Sequence, residues 1–222
     1  MEFSIGSSLR YGWEAFKSRP WIFVGTTVLL GILYVATETV ASGLNALSSG
    51  NAENPSLLGS VFSWLASTLI SMGATAFYLT AHDNPQSAEV SQLWHPQPFW
   101  YFLGTSILVS LAVILGFILL IVPGIIVALM LMFATILVID RGLPPFAALK
   151  ESRRITTGYK WQLLGLTLVL LLVNLAGLFA LVVGLLVTVP VTVLAYMNAY
   201  RVLSARAGES ASVLARTRDA SI

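Results

Sequence analysis

Apolar runs alternate with short polar stretches along the whole chain, and the lengths of the runs carry the first structural information. The first run extends from Trp21 to about Ala41, and a polar loop follows from Ser42 to Ser56, with Glu53 as its only charge. The second extends from about Leu57 to Ala81, and a second polar connector occupies His82 to Pro98. From Phe99 to Ile139, and again from Trp161 to Leu203, the chain is apolar for about 40 residues, with Arg201 the first charge in the later stretch. A single helix of that length would be about twice as long as the bilayer hydrocarbon is thick, so each stretch must fold back on itself. Pro123 and Gly124 are the expected turn of the first, with Gly116 on its near side; Gly177, Gly184 and Pro190 are the candidate breaks of the second. The runs do not alternate with period two, which excludes a β-barrel. The pattern therefore predicts an all-α polytopic membrane bundle, six transmembrane helices arranged as three hairpins.

The longest water-compatible stretch is Asp140 to Trp161. Pro144 and Pro145 can open a helix, because early helical positions need no amide donor, and Gly158 can close it with a left-handed cap. At helical pitch Lys150, Glu151, Arg153 and Arg154 share one face, and Ala148, Leu149, Ser152 and Ile155 the other, with Phe146 at the border. This is an amphipathic segment suited to a cytoplasmic membrane surface. The amino-terminal stretch has the same character: Ile5, Leu9, Trp13 and Phe16 on one face, Arg10, Glu14 and Lys17 on the other.

Composition agrees: 57% of residues are hydrophobic and 10% charged, against roughly a quarter charged in a soluble domain. Without cysteine there is no disulfide or thiolate chemistry. The cations sit beside apolar runs, which argues against nucleic acid as a partner. Arg10, Lys17 and Arg19 precede span one; Arg141, Lys150, Arg153, Arg154 and Lys160 lie between spans four and five; Arg201, Arg206, Arg216 and Arg218 follow span six. With six spans all twelve lie on one side, and the positive-inside rule makes that side, and both termini, cytoplasmic. Residues 206–222 are expected to form a disordered cytoplasmic tail after a single membrane domain, 1–205.

Three segments align without gaps at the starts of spans one, three and five. Each has a tryptophan, a glycine four residues on, and a hydroxyl two further: Trp21, Gly25 and Thr27; Trp100, Gly104 and Ser106; Trp161, Gly165 and Thr167. The match extends back to Leu9-Arg10 with Leu149-Lys150, and forward to Gly116 with Gly177. The reading is three copies of one hairpin unit, about 1–81, 82–140 and 141–205, all entering from the same side, unlike the inverted repeats of many secondary transporters.

The run from Ile121-Val-Pro-Gly124 to Asp140, followed by Ala148 to Ser152 and Thr157 to Trp161, resembles a family of bacterial six-helix integral membrane proteins that includes the membrane domain of membrane-anchored glycerophosphodiester phosphodiesterases. Gly12 to Lys17, Gly184 to Pro190 and Tyr200-Arg201 are similar as well. The resemblance implies a multi-pass inner-membrane domain in a bacterium. The phosphodiesterase activity does not carry over, since its soluble barrel is absent here.

No constellation of residues points to an enzyme. His82, Asp83, Glu89 and His95 share a connector, but their spacing matches no zinc pattern, so neither metal nor cofactor is expected. No Gly-x-Ser-x-Gly elbow occurs. No span carries a charge at mid-depth, which argues against an ion-coupled transporter. Glu38 falls near the outer boundary, and interhelical hydrogen bonding accounts for Asn174. Ser63, Ser67, Ser71 and Thr75 recur every four residues in span two; they are either a close helix-packing stripe or one wall of a groove, and both put span two at the bundle centre. Arg10, Lys17, Lys150, Arg153, Arg154 and Lys160 flank apolar faces at headgroup depth, where they set topology, contact anionic lipid, or both. The expected function is a non-enzymatic membrane module that binds lipid headgroups or a protein partner at its cytoplasmic face. The alternative is a carrier of a lipid or small amphiphile through the span-two groove.

Overall fold

The computed structural model describes residues 3–50, 55–84, 86, 89, 91, 93 and 99–219. Among them are nine helices and no strand: α1 (Ile5–Ser18), α2 (Pro20–Ser49), α3 (Leu57–Asp83), α4 (Phe99–Leu119), α5 (Ile121–Leu131), α6 (Ala134–Arg141), α7 (Pro145–Thr156), α8 (Lys160–Phe179) and α9 (Leu181–Asp219). Six stretches are long and apolar enough to cross a membrane: α2, α3, α4, α5 continued by α6, α8, and α9 from Val183 to Glu209. The protein is an all-α, multi-pass membrane bundle.

The hairpin turns fall a few residues from their expected places. The first long apolar stretch turns at extended Leu120, not at Pro123-Gly124. Pro123 instead lies in the first turn of α5, where its missing amide costs no hydrogen bond. Gly116 and Gly124 face each other across the turn; a Cβ on Gly116 would lie 2.9 Å from the Gly124 Cα, so bare backbone lets α4 and α5 meet. The second stretch turns at Ala180, between Gly177 and Gly184, whose backbones pack together, and Pro190 stays inside α9. Ser42 to Ser49, expected as loop, continues α2 up to a left-handed Gly50. There Asn45 Oδ1 accepts from the Ser56 amide at 2.9 Å and from its hydroxyl at 2.8 Å, tying the two helices together. The remainder of that loop, including Glu53, lies outside the described residues. The expected disordered tail is helical through Asp219.

Span four is broken at Met132-Phe133, where the sequence shows neither proline nor glycine. The freed backbone groups are taken up by side chains from elsewhere. Ser152 Oγ donates to the Met130 carbonyl at 2.8 Å and accepts from the Phe133 amide at 3.3 Å. Thr156 Oγ1 donates to Met130 O at 3.3 Å, and the Tyr196 hydroxyl donates to Met132 O. Such substitution is what makes a helix break tolerable away from water.

Both amphipathic helices bury a narrower, smaller face than expected, and they bury it against protein. On α7 that face is Ala148, Ser152, Ile155 and Thr156, seated on the break in span four instead of on lipid. On α1 it is Ser8, Gly12, Ala15 and Phe16, with Gly12 pressed against the Val191 carbonyl of α9, while Trp13 is left exposed. These are the same four positions shifted by 140 residues, the offset that places Trp21 on Trp161.

The core lies among α3, α6 and α9. Ala76, Phe77, Leu79 and Ala81 are buried on α3, Phe133, Ala134, Ile136 and Val138 at and along α6, and Leu194, Ala195, Met197 and Ala199 on α9, one spacing repeated three times. Span two is not the most central helix: 22% of its most apolar stretch is buried, half the share in spans four and six (44% each). Its amino-terminal half is the more exposed one.

Candidate functional site

Two residues past Ala81, Val138 and Ala199, the last members of that repeated spacing, stand Asp83, Asp140 and Arg201, and the packing brings the three together. Arg201 donates to both oxygens of Asp83 (Nε to Oδ1 2.9 Å, Nη2 to Oδ2 2.5 Å) and, through Nη1, to Asp140 Oδ1 at 2.8 Å. The planar guanidinium suits this task, since its fork of donors can serve two carboxylates at once. The Tyr200 hydroxyl donates to the other Asp140 oxygen. Beside this layer the His82 ring lies 4.5 Å from that of Tyr11, within 3.2 Å of Asp83 Oδ1, and the Tyr11 hydroxyl donates to the His82 carbonyl, which fastens α1 to the end of α3. Glu89 accepts from Ser91 at 3.1 Å, and His95 lies outside the described residues. The four residues weighed as metal ligands are thus engaged elsewhere or not described.

Next to the ion layer is an open cleft of about 710 Å³ between the end of α6 and the polar face of α7, lined by Arg141, Leu143, Ala147, Lys150, Glu151, Arg153, Arg154 and Thr157. Gly142, in the left-handed region, ends α6 and lets the chain reverse into Pro144-Pro145, so Arg141 faces the helix that follows it. Four cations meet one carboxylate here. Glu151 is held by Arg154 in a two-pronged pair (2.7 and 2.6 Å) and by Arg141 at 3.0 Å. The Arg154 hydrogen bond above all holds the Glu151 carboxyl below the usual glutamate range, so it stays charged at neutral pH. Arg141 also donates to Ser204 Oγ, and Arg154 Nη1 to the Ala207 carbonyl at 2.9 Å, which ties the cleft to α9. The side chains of Lys150 and Arg153 have no hydrogen-bond or ion-pair partner among the described residues. They are the cations left to meet an anion.

The other residues expected at headgroups are placed differently. Arg10 is exposed and paired with Glu14 at 2.8 Å, which lowers the Glu14 carboxyl's pKa. Lys17 lies 5.7 Å from the Trp13 ring. Lys160, half-buried at the start of α8, does not line the cleft. Trp21, Trp100 and Trp161 are all strongly exposed. Beside them, Gly25 meets nothing, Gly104 faces Pro145 of α7 and Gly165 faces Ile5 of α1. The span-two stripe divides. Ser63 donates to Glu38 at 2.6 Å and Ser67 to the Ser63 carbonyl, whereas Ser71 and Thr75 line a cavity toward the Asp83 end of α3. Asn174 reaches across to Thr192 Oγ1 at 3.0 Å, an interhelical bond as expected.

The Asp83–Arg201–Asp140 layer and the part played by Arg141 and Glu151 were not anticipated. A partial signal exists, because the 61-residue offset that carries Trp100 onto Trp161 also carries Asp140 onto Arg201; Asp83 falls out of that register, since the first hairpin is longer. Comparison with family models, with curated proteins and with solved structures gives no match.

Proposed function

We propose that this multi-pass membrane protein is a non-enzymatic module that holds an anionic lipid headgroup in the cleft between α6 and α7. The observation that carries the reading is the pair Lys150 and Arg153, unpaired beside a carboxylate already neutralised by Arg154 and Arg141. An anion entering there displaces no existing ion pair. Exposed Phe146 and Trp161, at either end of the same segment, are suited to apolar surroundings beside it. In this reading the cleft faces the cytoplasm, as do both termini, and the membrane is the inner membrane of a bacterium. The shared burial register of α1 and α7 supports descent from one hairpin unit. A protein partner at the same face is compatible with it.

Each cation near an anionic surface contributes about 1 kcal/mol, so the two together are worth roughly 30-fold in affinity. The test is thermal unfolding in a neutral detergent with added phosphatidylglycerol or, as control, phosphatidylcholine. Ligand binding to the folded state raises the melting temperature. The expected result is a rise with phosphatidylglycerol alone, lost in Lys150→Gln/Arg153→Gln. An equal rise in wild type and variant would refute the assignment to this cleft.

A further inference from the structure

A cavity of about 500 Å³ lies within the membrane-spanning part, between α2, α3, α6 and α9, and the headgroup reading makes no use of it. Seven of its fourteen lining residues carry a hydroxyl, and none is acidic, basic or histidine. Most of those hydroxyls are committed as donors: Thr27 to Phe23 O, Ser71 to Thr68 O, Thr75 to Ser71 O and Tyr196 to Met132 O. A hydroxyl that donates keeps acceptor capacity. The hydroxyls of Tyr34 and Thr135 have no hydrogen-bond partner among the described residues, so the wall also offers free donors.

Depth fixes what can sit there. Tyr78, Thr135 and Tyr196 come five residues before Asp83, Asp140 and Arg201, about 7 Å of helix from the ionic layer. Ser71 is seven residues further in, about 10 Å more. A charged headgroup inside this cavity would be desolvated with no counter-charge, at a cost of several kcal/mol. An uncharged polar group at the Tyr78–Thr135 level meets donors and acceptors, and a hydrocarbon chain continues along Gly31 toward exposed Tyr34. The volume falls within the usual range for small-molecule sites.

We propose that this cavity binds a neutral, single-chain amphiphile carrying both hydroxyl and ester oxygens, the chemistry of a monoacylglycerol. The free Thr135 donor faces its ester carbonyl, the acceptor oxygens beside it face its hydroxyls, and the Tyr34 hydroxyl stands at the far end of the chain. No charge of the basic cleft takes part, so this site stands or falls independently of the headgroup reading.

The test uses the full chain in nanodiscs doped with 1-monooleoylglycerol, with retained ligand counted by native mass spectrometry after release into neutral detergent. Gly31→Leu fills the cavity: a Cβ there meets nothing within 4 Å, and leucine is a better helix former than glycine. Thr135→Val removes one donor at constant shape. Wild type is expected to retain one monooleoylglycerol per chain. Gly31→Leu should lose it at least tenfold with an unchanged or higher melting temperature, and Thr135→Val severalfold; if Gly31→Leu does not fold, the valine variant decides alone. Lys150→Gln/Arg153→Gln should retain it as wild type does. Equal retention by wild type and Thr135→Val would overturn the proposal, as would retention of phosphatidylglycerol and monooleoylglycerol in simple proportion to their supply, the mark of boundary lipid only.

Discussion

Replacing Arg201 with glutamine removes the cation that, among the described residues, faces both Asp83 and Asp140. Truncating one partner of a buried, hydrogen-bonded ion pair costs about 3–5 kcal/mol, because the other charge is left without compensation. The two carboxylates do not contribute equally. Asp140 is 12% exposed and carries most of that cost, whereas Asp83 is 50% exposed and falls toward the 0–1 kcal/mol of a surface pair. Asp140 keeps the Tyr200 hydroxyl and Arg141, whose nearest nitrogen is 3.8 Å away, which moves the figure to the lower end. The expected loss is about 3 kcal/mol. At roughly 2–4 °C per kcal/mol for a chain of this size, the melting temperature in mild detergent should fall by about 6–12 °C. The triple variant Arg201→Gln/Asp83→Asn/Asp140→Asn carries no stranded charge and should regain at least half of the loss. Unfolding followed by size-exclusion chromatography after heating measures both. A melting temperature for Arg201→Gln within about 1 °C of wild type would refute the reasoning, and so would a triple variant worse than the single one.

Ser152→Ala should destabilise by about 1–3 kcal/mol, because the Met130 carbonyl and Phe133 amide lose a buried partner; the same thermal assay checks it, and wild-type stability would mean another group closes the break. Glu151 gives a pH prediction: its carboxyl is depressed in the folded state, so its contribution is complete above the ordinary glutamate value and disappears as pH falls through the lower folded value. Melting curves from neutral pH downward should therefore fall more steeply for wild type than for Glu151→Gln in that acid window, and parallel curves would contradict it. For topology, a single cysteine at Asn51 should react with an impermeant thiol reagent in intact cells, and labelling only after the cytoplasmic side is opened would reverse the orientation.

How much of this was legible in the sequence differs from element to element. The six spans and the bounds of α7 could be read directly, because run length, Pro144-Pro145 and Gly158 act locally. The break at Met132-Phe133 could not, since Leu129 to Ala134 is uniformly apolar and the groups that stabilise the break come from Ser152, Thr156 and Tyr196, far along the chain. For the same reason periodicity does not reveal the role of the α7 face: Ser152, a small residue on the apolar side, is a hydrogen-bonding plug. Leu120 carries no turn signal of its own: proline and glycine usually mark a turn, yet here they serve the first turn of a helix and a close helix contact. At the cleft, Lys150, Arg153 and Arg154 were legible as one face, but not that Arg154 is spent on Glu151 and Ala207 while Arg153 is free. Pairing among long side chains is decided by neighbours such as Arg141 and α9 that helical periodicity does not reveal.

The most direct measurement of the headgroup reading is a count of anionic lipid held at the cleft. Wild type and Lys150→Gln/Arg153→Gln would be placed in nanodiscs containing phosphatidylglycerol and phosphatidylcholine, and retained lipid counted by native mass spectrometry. Repeating the count at about 0.1 M and about 1 M salt shortens the screening length from roughly 10 to 3 Å. The expected result is at least one more phosphatidylglycerol per chain on wild type than on the variant at low salt, a difference that shrinks at high salt. Equal counts for the two proteins at both salts, with both folded, would contradict it and leave these cations as orientation signals alone.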